Sequence, residues 1–228
     1  MTRFSRLTVY TTMIQTGMVP LFYHDQEEEA ACAVQALLDA GVRCVEFTNR
    51  GEQAHLVFEK LVQRFRKDER LILGAGTMMD PPTAALYLQL GANFLVSPIF
   101  DPQIARLCNR RMAAYIPGTG TVAEISQAQE MGAEICKVFP GGQLGGPGFI
   151  KAVLGPLPWA RLMPTGGVTP TQASVQEWIK AGAASVGLGS NLINKNVFKE
   201  SAYDALRETA GQVLVWIREA RNSIHFTL

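Results

Sequence analysis

The sequence has 228 residues, of which 47% are hydrophobic and 18% are charged. It carries 21 lysines and arginines against 20 aspartates and glutamates, so its formal net charge is +1. This balance provides no general attraction for nucleic acid or for an anionic membrane surface, and we expect neither as a partner. The length suits one hydrophobic core, so we expect a single domain over residues 1–228.

The predicted elements alternate between short apolar runs and longer amphipathic segments along the chain. A helix is predicted over Leu7–Thr16, before the first strand, and a helical region over Asn196–Arg221 ends the chain. The eight predicted strands are Met18–Tyr23, Cys44–Thr48, Leu71–Thr77, Phe94–Pro98, Ala113–Gly118, Ile135–Pro140, Arg161–Gly167 and Ser185–Ser190. Helical patterns between them include Gln26–Ala40, Gln53–Phe65, Thr83–Leu90 and Glu124–Met131. Asp80 and Asp101 each precede a proline, a pattern typical of a helix start.

Strand–helix units in this order predict a parallel sheet with helical crossovers. Because eight units fit into so few residues, we favour an α/β fold closed as a (β/α)₈ TIM barrel. An open, doubly wound sheet is the alternative, although its G-x-G-x-x-G fingerprint is missing from the first strand–helix turn.

The four cysteines are Cys32, Cys44, Cys108 and Cys136, and their spacing fits no zinc-ligand framework. We interpret them as reduced structural residues of a cytoplasmic protein. The first ten residues lack the apolar core of a signal peptide, and no apolar run approaches the length of a bilayer span.

In a barrel of this kind, catalytic side chains come from the carboxyl ends of the strands, because those ends share one face. The polar residues predicted there are Glu46, Thr48, Arg50, Thr77, Ser97, Lys137, Thr165 and Ser190. Lys137 stands out because it interrupts an apolar strand, where desolvation favours the neutral amine that attacks carbonyl groups. A lysine that extends from the strand end into solvent is the alternative.

Glu46 also interrupts an apolar strand, and a carboxyl group in such surroundings can exchange protons with a substrate. The alternative is a buried ion pair with Arg43 or Arg50. Arg50 follows the same strand, where its guanidinium can hold a carboxylate or a phosphate, or form a surface salt bridge.

Glycine clusters at the last two strand ends indicate a phosphate site. The segment Pro164-Thr165-Gly166-Gly167-Val168 follows the seventh strand, and Gly187-Leu188-Gly189-Ser190 ends the eighth. Barrels often bind phosphate through backbone N–H groups of these two loops, although glycines also make plain turns. We interpret Gly141-Gly142 and Gly145-Gly146 as a flexible connection.

The histidines are His24, His55 and His225, and none belongs to a predicted metal-ligand set. We therefore expect no metal and interpret His24 as a loop residue. The G-x-S-x-G motif of serine hydrolases is also missing. A Lys137–Glu46 pair is the leading catalytic hypothesis.

The segment Gly41-Val42-Arg43-Cys44-Val45-Glu46-Phe47-Thr48-Asn49-Arg50 resembles a motif of the 2-keto-3-deoxy-6-phosphogluconate and 4-hydroxy-2-oxoglutarate aldolases. Later motifs of that family follow in the same order: Gly74-Ala75-Gly76-Thr77, Ser97-Pro98, Ile116-Pro117-Gly118, Lys137-Val138-Phe139-Pro140 and Pro164-Thr165-Gly166-Gly167. The resemblance runs from about Met18 to Leu192.

This resemblance implies a class I aldolase on a (β/α)₈ barrel, a homotrimer that needs no metal or other cofactor. Such an enzyme cleaves a 2-keto-3-deoxy sugar acid to pyruvate and an aldehyde. By resemblance, Lys137 forms the Schiff base and Glu46 transfers protons. The other roles implied are Arg50 and Thr77 for the carboxylate, Pro98 and Phe139 for the pocket wall, Thr165 for the substrate chain, and Gly166, Gly167, Gly189 and Ser190 for a phosphate.

Three positions depart from the family pattern, namely Gly51, Ile99 and Gly141, where threonine, glycine and alanine are common. They leave open whether the substrate is phosphorylated. Two other functions stay open at this point, a phosphosugar isomerase or decarboxylase on a similar barrel and a non-catalytic phosphosugar-binding barrel.

Overall fold

The computed structural model describes residues 2–224, so His225 lies outside the described part of the chain. Helices and strands alternate throughout. The helices are α1 Arg6–Thr16, α2 Glu27–Asp39, α3 Ala54–Arg64, α4 Pro81–Leu90, α5 Pro102–Arg111, α6 Val122–Glu130, α7 Pro147–Leu154, α8 Gln172–Lys180, α9 Lys195–Lys199 and α10 Tyr203–Asn222. The strands are β1 Met18–Phe22, β2 Cys44–Thr48, β3 Ile72–Gly76, β4 Phe94–Val96, β5 Ala114–Ile116, β6 Gly118–Thr119, β7 Cys136–Val138, β8 Leu162–Pro164 and β9 Val186–Leu188.

The strands of residues 2–224 pair in parallel, which confirms the predicted α/β class with a curled parallel sheet. One group has the order β5-β4-β3-β2-β1-β9 and the other the order β6-β7-β8. A parallel bridge between Thr165 and Gly187 connects the end of β8 to β9. Glu46 on β2 stands opposite Gly74 of β3, and Lys137 on β7 stands opposite Gly118 of β6.

Two predicted elements are divided in the structure. The fifth predicted strand becomes β5 and β6, because Pro117 between them has no N–H group to donate to a neighbouring strand. The predicted C-terminal helical region becomes α9 and α10, and Ser201 between them has a φ of +49°, which is incompatible with a right-handed α-helix. The extra N-terminal helix lies where it was predicted, as α1.

Alternating strand residues separate an inner from an outer core. The outer core packs the strands against the surrounding helices. The inner core joins one face of α1, including Val9 and Met13, to the first residues of several strands, including Cys44, Ile72 and Phe94. Tyr10 of α1 donates to the carbonyl of Tyr115 at 3.1 Å and accepts from its N–H at 3.0 Å. Helix α1 therefore covers the amino ends of the strands, which leaves their carboxyl ends as the accessible face.

The C-terminal helix is anchored to this covered end by Arg221. Its guanidinium donates to the carbonyls of Gln15, Ile14 and Ala184 at 2.8, 2.7 and 2.8 Å. The first two are carbonyls in the last turn of α1, where a cation also interacts favourably with the helix dipole. Arg221 therefore joins α10, α1 and the start of β9.

The helix starts at Asp80 and Asp101 are confirmed. The Asp80 carboxylate accepts from the N–H of Thr83 at 2.8 Å, and that of Asp101 accepts from the N–H of Gln103 at 2.7 Å. Among the helices of residues 2–224, none has the length and apolar character needed to cross a bilayer.

Candidate active site

Two charged side chains point into the space enclosed by the curved sheet. On β2, Val45 and Phe47 belong to the outer core and Cys44 to the inner one, so Glu46 faces inward. On β7, Cys136 and Val138 belong to the outer core, so Lys137 also faces inward. Only 1% of Glu46 and 5% of Lys137 is exposed. The strands thus bury a carboxyl group and an amine on the same face.

The Glu46 carboxyl has no hydrogen-bond partner among residues 2–224 at either of its oxygens. Burial raises its pKa above the ordinary glutamate value, while the charges of Lys137 and Arg50 act in the opposite direction. The predicted alternative of an ion pair with Arg43 is wrong, because the Arg43 guanidinium donates to the carbonyls of Arg70 and Glu69 at 2.6 and 3.2 Å. Glu46 is therefore free to exchange a proton with a group that enters the site.

The backbone on both sides holds Lys137 in place. Its N–H donates to the Pro117 carbonyl at 2.8 Å, and its own carbonyl accepts from the Thr119 hydroxyl at 3.1 Å. The Nζ atom lies 5.2 Å from the centre of the Phe139 ring, within the range of a cation–π contact. With 5% exposure, the alternative of a lysine that extends into solvent is wrong.

Gly76 provides the space that the Glu46 side chain occupies. A Cβ atom at position 76 would lie 1.7 Å from Glu46 Oε1 and 2.4 Å from Cδ. If Glu46 transfers protons as predicted from the sequence, Gly76→Ala should displace its carboxyl group and lower kcat by about 10²-fold, the lower end for one acid–base group. Steady-state kinetics measure the fall in kcat, and thermal unfolding shows whether the variant is folded.

Gly148→Ala is the matched control for this substitution, because no atom lies within 4 Å of a Cβ at that exposed position of α7. A folded Gly76→Ala protein with the kcat of the control would contradict the role given to this contact.

A cavity of about 490 Å³ opens at the carboxyl ends of β1, β8 and β9. Six residues predicted for the site line it, namely Arg50, Phe139, Thr165, Gly166, Gly189 and Ser190. Lys137 and Glu46 are buried in the sheet interior and do not line it, but Phe139 connects the two places through its contact with Nζ. Another cavity, of about 450 Å³, contains Arg3 and Asn93 at the opposite end of the sheet and holds none of the predicted site residues.

Three other predicted site residues, Thr77, Pro98 and Gly167, do not line the cavity at the carboxyl ends of β1, β8 and β9. Thr77 follows β3 with a φ of +64°, a left-handed conformation that costs a threonine free energy and is often found at functional sites. Pro98 follows β4, and a Cβ at Gly118 would lie 2.2 Å from its carbonyl carbon. Both residues therefore lie at the carboxyl ends of strands, as predicted.

Ser97 fixes the loop that holds Pro98. Its hydroxyl lies 2.7 Å from the Tyr115 hydroxyl and also bonds the Ile99 carbonyl. The Ile99 side chain is 45% exposed and is not part of the cavity wall. Ile99 therefore does not narrow the cavity.

The glycine loop after β8 presents open backbone donors. Gly166 and Gly167 have φ angles of +80° and +92°, which glycine adopts without strain. Their N–H groups, like those of Gly189 and Ser190, donate to no group within residues 2–224. Neighbouring open N–H groups form a concave binding place for an anion.

The prediction of a flexible connection after β7 is wrong for Gly141 and Gly142. Their N–H groups donate to the carbonyls of Thr165 and Gly166 at 2.9 and 2.8 Å. A Cβ on Gly141 would lie 3.0 Å from the Gly166 oxygen, so even alanine would need the loops to separate slightly. The two glycines therefore brace the loop with the open donors.

The cavity also contains residues that sequence reasoning missed, including Tyr23, Asn191, Asn194 and Lys195. Tyr23 ends the first predicted strand, and its strand-end position is the signal that could have identified it. The other three follow Ser190, in the loop after the last strand and at the start of α9. His24 packs on the Phe198 ring with a centroid distance of 4.2 Å.

Three comparisons identify the family. The family model of KDPG and KHG aldolases matches residues 9–209, which is most of the chain. The chain belongs to the KDPG and KHG aldolase family. This confirms the resemblance carried by the sequence motifs.

One curated relative is a 2-dehydro-3-deoxy-phosphogluconate aldolase of Treponema pallidum, which is 31% identical over 71% of this chain and 76% of its own length. A 2-dehydro-3-deoxy-6-phosphogalactonate aldolase of Escherichia coli is 29% identical over 86% of this chain and 91% of its own length. A solved KDPG aldolase from Legionella pneumophila, with pyruvate captured as a covalent carbinolamine, is 25% identical. Its match has a TM-score of 0.81 and covers 89% of this chain and 96% of that chain.

Within residues 2–224, no group of three or more histidine, cysteine, aspartate or glutamate side chains is arranged to hold a metal ion.

Proposed function

We propose that this protein is a class I aldolase that cleaves a 2-keto-3-deoxy sugar acid to pyruvate and an aldehyde through a Schiff base on Lys137. The observation that carries the proposal is the pair of buried, inward-facing side chains, Lys137 and the unpartnered Glu46. Membership of the aldolase family and the covalent pyruvate adduct described for the Legionella pneumophila relative support it.

In the first half of the reaction, the neutral amine of Lys137 attacks the C2 ketone of the substrate. Glu46 gives a proton to the departing hydroxyl, water leaves, and an iminium forms that can accept electrons. The ionised Glu46 then takes the proton of the C4 hydroxyl. As it does so, the C3–C4 bond breaks, its electron pair moves toward the iminium as an enamine, and the aldehyde leaves.

In the second half, protonated Glu46 returns its proton to C3 of the enamine. Water adds to the resulting iminium, pyruvate is released, and Lys137 is regenerated as an amine. Glu46 needs both protonation states in one cycle. Because burial raises its pKa, a larger fraction of Glu46 is protonated near neutral pH than for an ordinary glutamate. Lys137 itself supplies the electron-accepting group, so the scheme uses no metal or other cofactor.

The remaining residues bind the two ends of the substrate in this scheme. Arg50 and Thr77 hold the carboxylate of the pyruvate half, and Thr165 contacts the hydroxylated chain. Pro98 and Phe139 form apolar walls. For a phosphorylated substrate, the donors are the N–H groups of Gly166, Gly167, Gly189 and Ser190, of which the first two are braced by Gly141 and Gly142.

We further infer that the strand–helix units close into a (β/α)₈ barrel. The Thr165–Gly187 bridge joins the two strand groups on one side, and only Pro117 separates β5 from β6 on the other. The inner core, capped by α1, supports a single domain over residues 1–228. The homotrimer and the cytoplasmic location stay predictions, which sedimentation equilibrium and cell fractionation test.

Pyruvate release, measured with lactate dehydrogenase and NADH, tests the proposed function. The substrates are 2-keto-3-deoxy-6-phosphogluconate, its unphosphorylated form and 4-hydroxy-2-oxoglutarate. We expect turnover of at least one, with the phosphorylated acid favoured because the loops after β8 and β9 carry four open N–H groups. A folded protein that releases pyruvate from none of them would contradict the proposal, as would an isomerised or decarboxylated product.

A further inference from the structure

The Tyr23 side chain forms a wall of the cavity and has no part in the scheme above. Tyr23 follows β1 at the accessible end of the sheet and is half-buried. Its ring packs against Phe47 with a centroid distance of 5.8 Å. The ring is therefore held by the outer core, while the side chain also borders the cavity beside Arg50.

The hydroxyl end of Tyr23 rests on the backbone of Gly51. A Cβ atom at position 51 would lie 2.0 Å from Tyr23 Oη and 2.4 Å from Cζ. Any residue larger than glycine at position 51 would therefore push the phenol out of its position. Glycine at the position after Arg50, where the family commonly has threonine, thus leaves room for the Tyr23 phenol.

The hydroxyl held in this way has no hydrogen-bond partner among the residues that the structure describes. The nearby Tyr87 differs, because its hydroxyl donates to Asn49 Oδ1 at 3.0 Å. The cavity that Tyr23 borders also contains Gly166, Gly189 and Ser190, whereas Lys137 and Glu46 lie outside it. Arg50 lines the same cavity, so a substrate bound to Lys137 directs its carboxylate toward Arg50 and its remaining carbons toward the part formed by Tyr23, Gly166, Gly189 and Ser190.

We propose that Tyr23 is a specificity-determining residue, whose hydroxyl donates a hydrogen bond to an oxygen of the aldehyde half of the substrate. The inference rests on the proposed aldolase function and deepens it, since it selects aldehydes that carry further hydroxyl or phosphate oxygens. Gly51 acts through Tyr23 by keeping the phenol in place.

The experiment measures aldol addition of pyruvate to two aldehydes, with wild type and Tyr23→Phe. One aldehyde is glyceraldehyde 3-phosphate, and the other is propanal, which has the same three carbons and no other oxygen. We expect Tyr23→Phe to raise KM for glyceraldehyde 3-phosphate about 3- to 10-fold, as for one lost hydrogen bond, and to leave KM for propanal unchanged. Gly51→Ala should produce the same change, and this effect should disappear when Tyr23 is already phenylalanine.

Tyr87→Phe is the matched control, because it removes a neighbouring hydroxyl that does not line the cavity. Thermal unfolding shows that each variant is folded. Equal KM values for wild type and Tyr23→Phe, an equal rise for both aldehydes, or a rise in KM for pyruvate would each overturn the inference. Borohydride trapping of pyruvate on the wild type separates the two proposals: trapping with unchanged selectivity refutes the role of Tyr23 alone, and no trapping overturns both.

Discussion

Replacement of Lys137 by methionine is expected to lower kcat for aldol cleavage by at least about 10⁴-fold, as for an enzyme that loses its covalent nucleophile. Methionine fills similar space without an amine, so the iminium cannot form and the electrons of the C3–C4 bond have no acceptor. The fold should persist, because the substitution removes a buried amine from an otherwise apolar strand. The coupled pyruvate assay measures the loss, and thermal unfolding measures the stability.

Lys151→Met provides the control, because Lys151 is exposed on α7 and does not line the cavity. It should retain wild-type activity. Lys137→Met activity within tenfold of this control would exclude a covalent role for Lys137.

Glu46→Gln is expected to lower kcat for carbon–carbon cleavage by about 10²- to 10⁴-fold, the usual contribution of one acid–base group. Lys137 is intact in this variant, so pyruvate should still form a borohydride-trapped adduct, although more slowly. Glutamine cannot take the C4 hydroxyl proton or return one to C3. Rapid-quench measurement of aldehyde release separates the cleavage step from adduct formation.

Glu130→Gln is the control for this substitution, because Glu130 is exposed at the end of α6. Cleavage at the wild-type rate in Glu46→Gln would refute the proton-transfer role. Equal loss of adduct formation and cleavage would instead place Glu46 in the first step alone.

The Glu46 site should also reduce stability in a pH-dependent way. Its pKa is raised in the folded protein, so the folded state binds this proton more tightly than the unfolded state does. The stabilisation provided by this bound proton is therefore complete below the ordinary glutamate pKa, and it is lost as the pH rises through the pKa of the folded state. Glu46→Gln should unfold at a higher temperature than wild type near pH 8, and the difference should shrink toward pH 4. A lower unfolding temperature for the variant at pH 8 would contradict this account.

The fold could be predicted from the sequence where local patterns determine the structure. Apolar runs and capping residues such as Asp80 and Asp101 are local signals, and the predicted helix starts and the parallel sheet are confirmed. The break between α9 and α10 coincides with a positive φ at Ser201, which no local sequence pattern indicates for a serine. Pro117 was a visible signal for the division between β5 and β6, but a proline at a strand end is also compatible with an unbroken strand.

The central pair of the site was also predictable, because Lys137 and Glu46 are charged residues in apolar strands. Their inward orientation follows from alternation along each strand. The sequence could not predict contacts between distant segments, such as the Tyr23 hydroxyl on Gly51 or the Gly142 N–H on the Gly166 carbonyl. These contacts depend on how the loops fold over the end of the sheet, and they shape the cavity in which the aldehyde half is proposed to bind.

The most direct test of the central claim is mass spectrometry of the protein after incubation with pyruvate and borohydride. Reduction of the Schiff base should add one pyruvate-derived group per chain, and fragmentation of the peptide should locate it on Lys137. Lys137→Met should remain unmodified under the same conditions, while Lys151→Met should be modified like wild type. An intact folded protein with no adduct, or with an adduct on a different lysine, would contradict the assignment of Lys137 as the Schiff-base residue.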